Sequence, residues 1–213
     1  ANWRGHRGGV AALSFTNGAQ REVKRRVLGL RIPSGYPHFI GTIDAFLLRF
    51  VVCRFGGDQV RLSRFRRPYD VGDYSIQRSD HRFGPGKADI GRLSEFMFLS
   101  QGQGEAGLFI QRKEGGMVPV PDAYSKEVLA AKQRVWLADG HLTYADVCAV
   151  AWKALQKQEV REIVASRFPV ILVDEFQDTT GLRAPCLRLL FEEGTFERGF
   201  VVGDPDQRIM SFA

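Results

Sequence analysis

The chain has 213 residues, of which 44% are hydrophobic and 25% charged, and it carries a formal net charge of +6 at pH 7. This length and balance suit one large globular domain, or a domain with an insertion, able to bury a real core. No apolar run approaches the ~20 residues that span a bilayer and no signal peptide opens the chain, so no membrane-spanning helix is expected and the chain is read as cytoplasmic.

The charge is uneven: residues 1–67 hold 13 Lys and Arg against only Glu22, Asp44 and Asp58. So basic a segment favours a polyanionic partner, with nucleic acid the commonest, although a solvated basic surface accounts for the composition equally well. Cys53, Cys148 and Cys186 are far apart, odd in number and set among apolar neighbours, which predicts buried free thiols. His6, His38, His81 and His141 show no metal-ligand spacing.

In chain order, residues 10–15 read as a buried strand after the Gly8-Gly9 break. Asn17 is then expected to cap a helix, with Gln20 in the capping-box position and Ala19, Val23, Val27 and Leu30 on its buried face. Arg21, Lys24, Arg25 and Arg26 fall on the exposed face, and Gly29 suggests the end. Phe39, Ile40 and Gly41 form a second short strand running into Thr42. Ile43, Phe46, Leu47, Phe50 and Val51 give helical periodicity up to Gly56-Gly57.

From Val60 the chain interleaves arginines with Phe65 and Tyr69, which suits phosphate contact with base stacking and suits a basic loop just as well. Residues 70–122 are glycine-rich with weak periodicity. They are read as an irregular inserted region with one short helix near Arg92 to Leu99. Val128, Leu129, Lys132, Val135 and Trp136 predict an amphipathic helix that Gly140 ends. Thr143 with Asp146 forms a capping box, opening a helix whose buried side is Val147, Val150, Ala151, Ala154 and Leu155.

Val170, Ile171, Leu172 and Val173 are an apolar run suited to a strand buried on both faces of a parallel sheet. Asp174 and Glu175 follow at its carboxyl end, where open α/β sheets place their ligands. An acid pair there suits a hydrated magnesium ion on a nucleotide, one acid holding the metal's water and the other activating an attacking water. Leu182 to Phe191 reads as a further helix stopped by Gly194, and Phe200 to Val202 as a last strand entering Gly203-Asp-Pro-Asp-Gln207. Three strands thus end in polar corners, which in a parallel sheet lie along one edge.

These corners resemble the motifs of the UvrD/Rep/PcrA-like DNA helicases of superfamily 1A. Ala12-Leu-Ser-Phe-Thr-Asn17 is similar to motif Ia, Gly41-Thr-Ile-Asp-Ala-Phe46 to motif Ib, Val173-Asp-Glu-Phe-Gln-Asp-Thr179 to motif II, and Val202-Gly-Asp-Pro-Asp-Gln-Arg-Ile209 to motif III. The resemblance implies an α/β fold: a RecA-like parallel core over residues 1–50 and 141–213, with a mainly helical 1B subdomain inserted at residues 51–140. It implies ATP and Mg2+ as cofactors. Asp174 would hold the metal, Glu175 would be the general base, and Gln207 would sense the γ-phosphate, with Gln177, Asp178 and Asp204 joining the nucleotide site to its neighbours. Phe15, Thr16, Asn17, Thr42 and Phe212 would contact single-stranded DNA or a single-strand/duplex junction, and a nuclease or repair protein is an implied partner.

Departures from the family pattern shape the functional expectation. The family's Gly-Lys-Thr or Gly-Lys-Ser phosphate loop does not occur in the 213 residues, Gly18 stands for a common lysine, Asp44 for a common histidine and Met210 for a common aromatic. The resemblance therefore implies part of an ATP-dependent helicase or translocase, in repair, recombination or phage defence, that is not an active motor by itself. Two alternatives stay open: a helicase-derived DNA-binding or regulatory module without ATPase activity, and a metal-dependent nuclease built on Asp174, Glu175 and Asp178.

Overall fold

A computed structural model describes residues 8–31, 33–62, 96–102, 105–111, 116–179, 181–192 and 196–204. In chain order, β1 (Val10–Ser14) leads into α1 (Asn17–Gly29), and β2 (Phe39–Thr42) leads into α2 (Ile43–Phe46). That helix continues through a π-helical stretch, Leu47–Val52, into α3 (Cys53–Phe55). Then come β3 (Phe96–Gly102), β4 (Glu105–Gln111), β5 (Met117–Pro119), α4 (Asp122–Asp139), α5 (Tyr144–Leu155) and α6 (Gln158–Arg167). After them lie β6 (Val170–Val173), a 3-10 turn at Phe176–Asp178, α7 (Arg183–Leu190) and β7 (Arg198–Val201).

The four strands β2-β1-β6-β7 form one parallel sheet in that order, the α/β arrangement of a RecA-like core. Register sets its two faces. Ala11 pairs with Phe39 and Ile171, and Leu13 with Gly41 and Val173, so these residues share one face. Ala11, Leu13, Ile171 and Val173 are at most 2% exposed and join Phe46, Val147, Phe168 and Leu187 in the main hydrophobic cluster. Full burial of each such Phe, Leu or Ile side chain contributes about 1.5–3 kcal/mol. Phe39, Phe46, Phe50 and Phe168 pack with ring centroids 4.7 to 6.5 Å apart, tying β2 and its helix to the end of α6.

The opposite face differs from expectation. Val170 to Val173 are not buried on both sides: Leu172 is 38% and Phe200 51% exposed, at the mouth of an open groove shared with Ala12, Ile40, Gln20 and Val23. The α1 helix, against β1 and β2, flanks this face and covers the sheet incompletely. Accordingly α1 has no fully buried residue, and Leu30, placed on its buried face by periodicity, is its exposed C-cap.

In the described part of residues 51–140, helix is joined by a small sheet that the mainly helical expectation did not include. β3, β4 and β5 form an antiparallel sheet, with Phe96 opposite Ile110 and Val118 opposite Ile110 on the other side. Residues 96–99, read as the end of a short helix, are strand. The alternation Phe96, Phe98 against Met97, Leu99 is a two-residue period on a sheet whose one face packs on α4 through Val128 and Ala131. Residues 63–95, including Phe65, Tyr69 and Arg92, lie outside the described residues. The α4 helix ends at Gly140 as expected, in a left-handed conformation with φ 68° that suits glycine.

Lys132 of α4 is 1% exposed and donates to Asp146 of α5 at 2.7 Å. Asp146 also accepts the Thr143 N–H at 3.0 Å and donates its own N–H to Thr143 Oγ1 at 3.1 Å, completing the predicted capping box. One carboxylate thus starts α5 and fastens α4 to it. The five predicted buried positions of α5 are all buried. A helix that sequence reading missed, α6, has no side-chain cap at Lys157 to announce it, though Val160 and Val164 pack at helical spacing.

Candidate nucleotide and nucleic-acid site

Because all four strands run in parallel, the chain leaves β1, β2, β6 and β7 at the same edge of the sheet. The corners after them are therefore neighbours. Asp174 sits directly beyond β6, its N–H donating to Leu13 O at 2.9 Å and its Oδ1 accepting the Glu175 N–H at 3.1 Å. Glu175 adopts a left-handed conformation with φ 55° and ψ 43°. Such a conformation in a residue other than glycine costs about 1–3 kcal/mol and persists where surrounding bonds over-determine it. Those bonds are present: Asp178 N–H donates to Glu175 O at 3.1 Å, Phe176 N–H to Val202 O at 3.1 Å, and Thr179 Oγ1 to Phe176 O at 2.6 Å.

Gln177 joins two corners. Its Nε2 donates to Glu175 Oε2, and its Oε1 accepts the Asp204 N–H at 3.1 Å. The side-chain amide thereby fixes the Glu175 carboxylate relative to the segment after β7. Gly203 permits the approach, since a Cβ there would come within 2.6 Å of Gln177 Oε1. Asp204 is exposed, whereas Asp178 is 7% exposed and turned into the protein. Among the described residues no three His, Cys, Asp or Glu side chains converge as a metal-binding group. Asp174, Glu175 and Asp178 therefore do not form the cluster that a nuclease reading needs, while a single half-buried carboxylate beside phosphates is how proteins commonly hold Mg2+.

On the β1 side, Phe15 is half-buried and Thr16 and Asn17 are exposed. Thr16, not Asn17, is the N-cap of α1: its backbone is extended and its Oγ1 accepts the Ala19 N–H at 3.1 Å. The expected partner of a capping box, Gln20, turns instead to Ile40 O at 3.4 Å. Thr42, opposite Ser14 in the register, caps α2 in the same way through Ala45 N–H at 3.2 Å. Each hydroxyl spends an acceptor on its helix and keeps its own O–H donor. Arg21, Arg25 and Arg26 are exposed on α1, and Arg25 and Arg26 both bond Glu22, whose carboxyl those hydrogen bonds, Arg25's first, lower to about 2.

Sequence reading missed Arg183, the first residue of α7. Its Nε and Nη2 donate to Asp44 Oδ1 and Oδ2 at 2.7 and 2.9 Å, and its Cζ lies 5.7 Å from the centre of the Phe15 ring. The Cys148 thiol backs the pair at 3.7 Å from Asp44 Oδ1, and burial pushes that thiol up to about 12. The only sequence signal was a charge opening a largely apolar helix, with its partner 139 residues away. Cys148 and Cys186 are buried as predicted, whereas Cys53 is exposed, on the outer side of α3. Gln207 and Phe212 lie outside the described residues.

Residues 109–213 match the UvrD/REP helicase N-terminal domain family. The chain is 26% identical over 205 residues to the ATP-dependent DNA helicase PcrA of Bacillus subtilis, covering 94% of this chain and 27% of that protein. It is 32% identical over 123 residues to one subunit of the ATP-dependent helicase/nuclease of Oenococcus oeni, covering 56% of this chain and 10% of the relative. Over 72 residues it is 38% identical to the RecB subunit of the RecBCD enzyme of Buchnera aphidicola, covering 33% and 6% respectively. It thus spans about a quarter or less of the length of these relatives. The family match falls on the strand and corner that carry Asp174, Glu175 and Gln177, so residues 109–213 belong to the UvrD/REP helicase N-terminal domain family, and the chain as a whole is similar to the amino-terminal region of a UvrD-like helicase.

Proposed function

We propose that these residues work within an ATP-dependent DNA helicase or translocase that moves on single-stranded DNA in repair, recombination or phage defence, in the cytoplasm. Residues 1–50 and 141–213 form its RecA-like core and residues 51–140 an inserted 1B-type subdomain. Glu175 takes the proton from the water that attacks the terminal phosphate. Asp174 would hold Mg2+, which when bound would supply neutralisation of phosphate charge. Gln207 contacts the γ-phosphate, while Gln177, Asp178 and Asp204 tie that site to the adjoining corner. Phe15 and Phe212 stack on bases, and Thr16, Asn17 and Thr42 donate to the strand's backbone. A nuclease partner is in keeping with the name of one relative, a helicase/nuclease subunit.

One observation carries the reading: Gln177 binds the Glu175 carboxylate and the Asp204 backbone together, at the edge where Phe15, Thr16 and Thr42 also emerge. A general base is of use only when it is aimed, and here it is aimed by a group that also feels the next corner. The 213 residues contain no Gly-Lys-Thr or Gly-Lys-Ser turn, so by themselves they bind nucleotide weakly and do not act as a motor. ATP hydrolysis measured with and without oligo-dT tests this. The intact protein containing these residues hydrolyses ATP in a DNA-dependent way and the 213-residue chain does not. Brisk hydrolysis by the 213-residue chain, or none by the intact protein on any DNA, overturns it.

A further inference from the structure

We propose that Arg183, clamped by Asp44, is a positioning residue that holds the Phe15 ring in its DNA-stacking orientation. This rests on the reading above, in which Phe15 meets single-stranded DNA. Three elements far apart in sequence meet at this point: the corner after β1, the first turn of α2, and the first turn of α7. The guanidinium makes two parallel bonds to one carboxylate, the most geometrically exacting pairing open to an arginine. Both side chains are only 20% exposed, and the neutral Cys148 thiol closes the carboxylate from behind. The pair is thus held in one place.

Phe15, in contrast, stands at a strand end, half-buried, and among the described residues its ring is met by the guanidinium above it. A cation within ~6 Å of a ring centre attracts the ring face and disfavours its rotation away. With one face taken by Arg183, the other is presented to a base. Because α7 begins nine residues after Asp174, the same arginine ties the ring's position to the helix that follows the acid corner. Arg183 has both its fork and its charge spent on Asp44, so it acts through Phe15 and does not bind phosphate itself.

Fluorescence anisotropy of labelled oligo-dT with the 213-residue chain, across a series of salt concentrations, tests this. Phe15→Ala weakens binding roughly 5- to 150-fold, the range for one lost base–aromatic stack. Arg183→Met weakens it several-fold with an unchanged dependence on salt, and Phe15→Ala/Arg183→Met is no weaker than Phe15→Ala alone. An arginine bound to phosphate would instead lower the salt slope by about one and act additively. Arg183→Lys and Asp44→Asn, which preserve packing, show the same non-additivity if Arg183→Met fails to fold. Wild-type affinity in the Arg183 and Asp44 variants, additivity with Phe15→Ala, or a reduced salt slope overturns the inference. If Phe15→Ala itself binds as the wild type, or the chain binds no single strand, the DNA-facing reading fails and this inference with it.

Discussion

Replacing Lys132 by Met is the sharpest test of how the α4 helix is fastened to the core. The Lys132 ammonium is 1% exposed, 2.7 Å from Asp146 and 5.9 Å from the Phe98 ring centre. Methionine fills most of the volume and removes the charge, so Asp146 is left as a buried carboxylate without its counter-ion, still accepting the Thr143 N–H. Breaking one partner of a buried pair costs about 3–5 kcal/mol, against a total stability on the order of 5–15 kcal/mol for a domain. Lys132→Met/Asp146→Asn is less damaging than Lys132→Met alone, because the orphaned charge is gone and the amide oxygen still accepts from Thr143. Urea unfolding of the three proteins gives these values directly, provided m is unchanged. A loss below ~1 kcal/mol for Lys132→Met would place the pair among hydrated surface bridges and contradict a buried, charge-paired Lys132.

Gln177→Ala frees the Glu175 carboxylate and removes a bond to a charged group worth about 1.5–3 kcal/mol, so DNA-dependent ATP hydrolysis by the intact protein drops roughly 10- to 100-fold. Unchanged hydrolysis would show that Glu175 is aimed by something else. The Glu22 carboxyl, followed by carbon NMR, titrates at about 2 in place of the ordinary 4.5. Its folded value is depressed, so its contribution to stability is present above the ordinary value and is lost as pH falls through about 2. The group is fully exposed, so added salt moves the midpoint upward, and a midpoint near 4.5 at low salt contradicts the Arg25 fork. In the native chain a thiol reagent at about pH 8 labels Cys53 quickly, while Cys148, with its thiol pushed up to about 12, and Cys186 react only on unfolding. Prompt labelling of all three would mean that the α5–α7 contact is open.

What could be read from sequence follows from how local each signal is. The capping box of Thr143 and Asp146 spans three residues, and the apolar periodicity of α5 spans three turns, so both were legible. The acid corner was legible for the same reason: a four-residue apolar strand meets two carboxylates at once. Burial of a strand's second face depends on what packs above it, and that is why Leu172 was misjudged. The alternation in Phe96–Gly102 is too short to outweigh a helical reading until β4 is seen beside it. Arg183 was beyond reach, because its meaning lies in Asp44 and Phe15, which only the folded sheet brings to it.

The central claim is that the corner after β6 is the hydrolytic side of a DNA-dependent ATPase, with Glu175 as its base. The most direct measurement is single-strand-stimulated ATP hydrolysis by the intact protein, wild type against Glu175→Gln, with DNA binding measured in parallel. Removing a general base is worth about 10²–10⁴-fold. Glu175→Gln is expected to lose at least that lower factor while binding of oligo-dT is retained. Hydrolysis within a few-fold of the wild type in Glu175→Gln would contradict it.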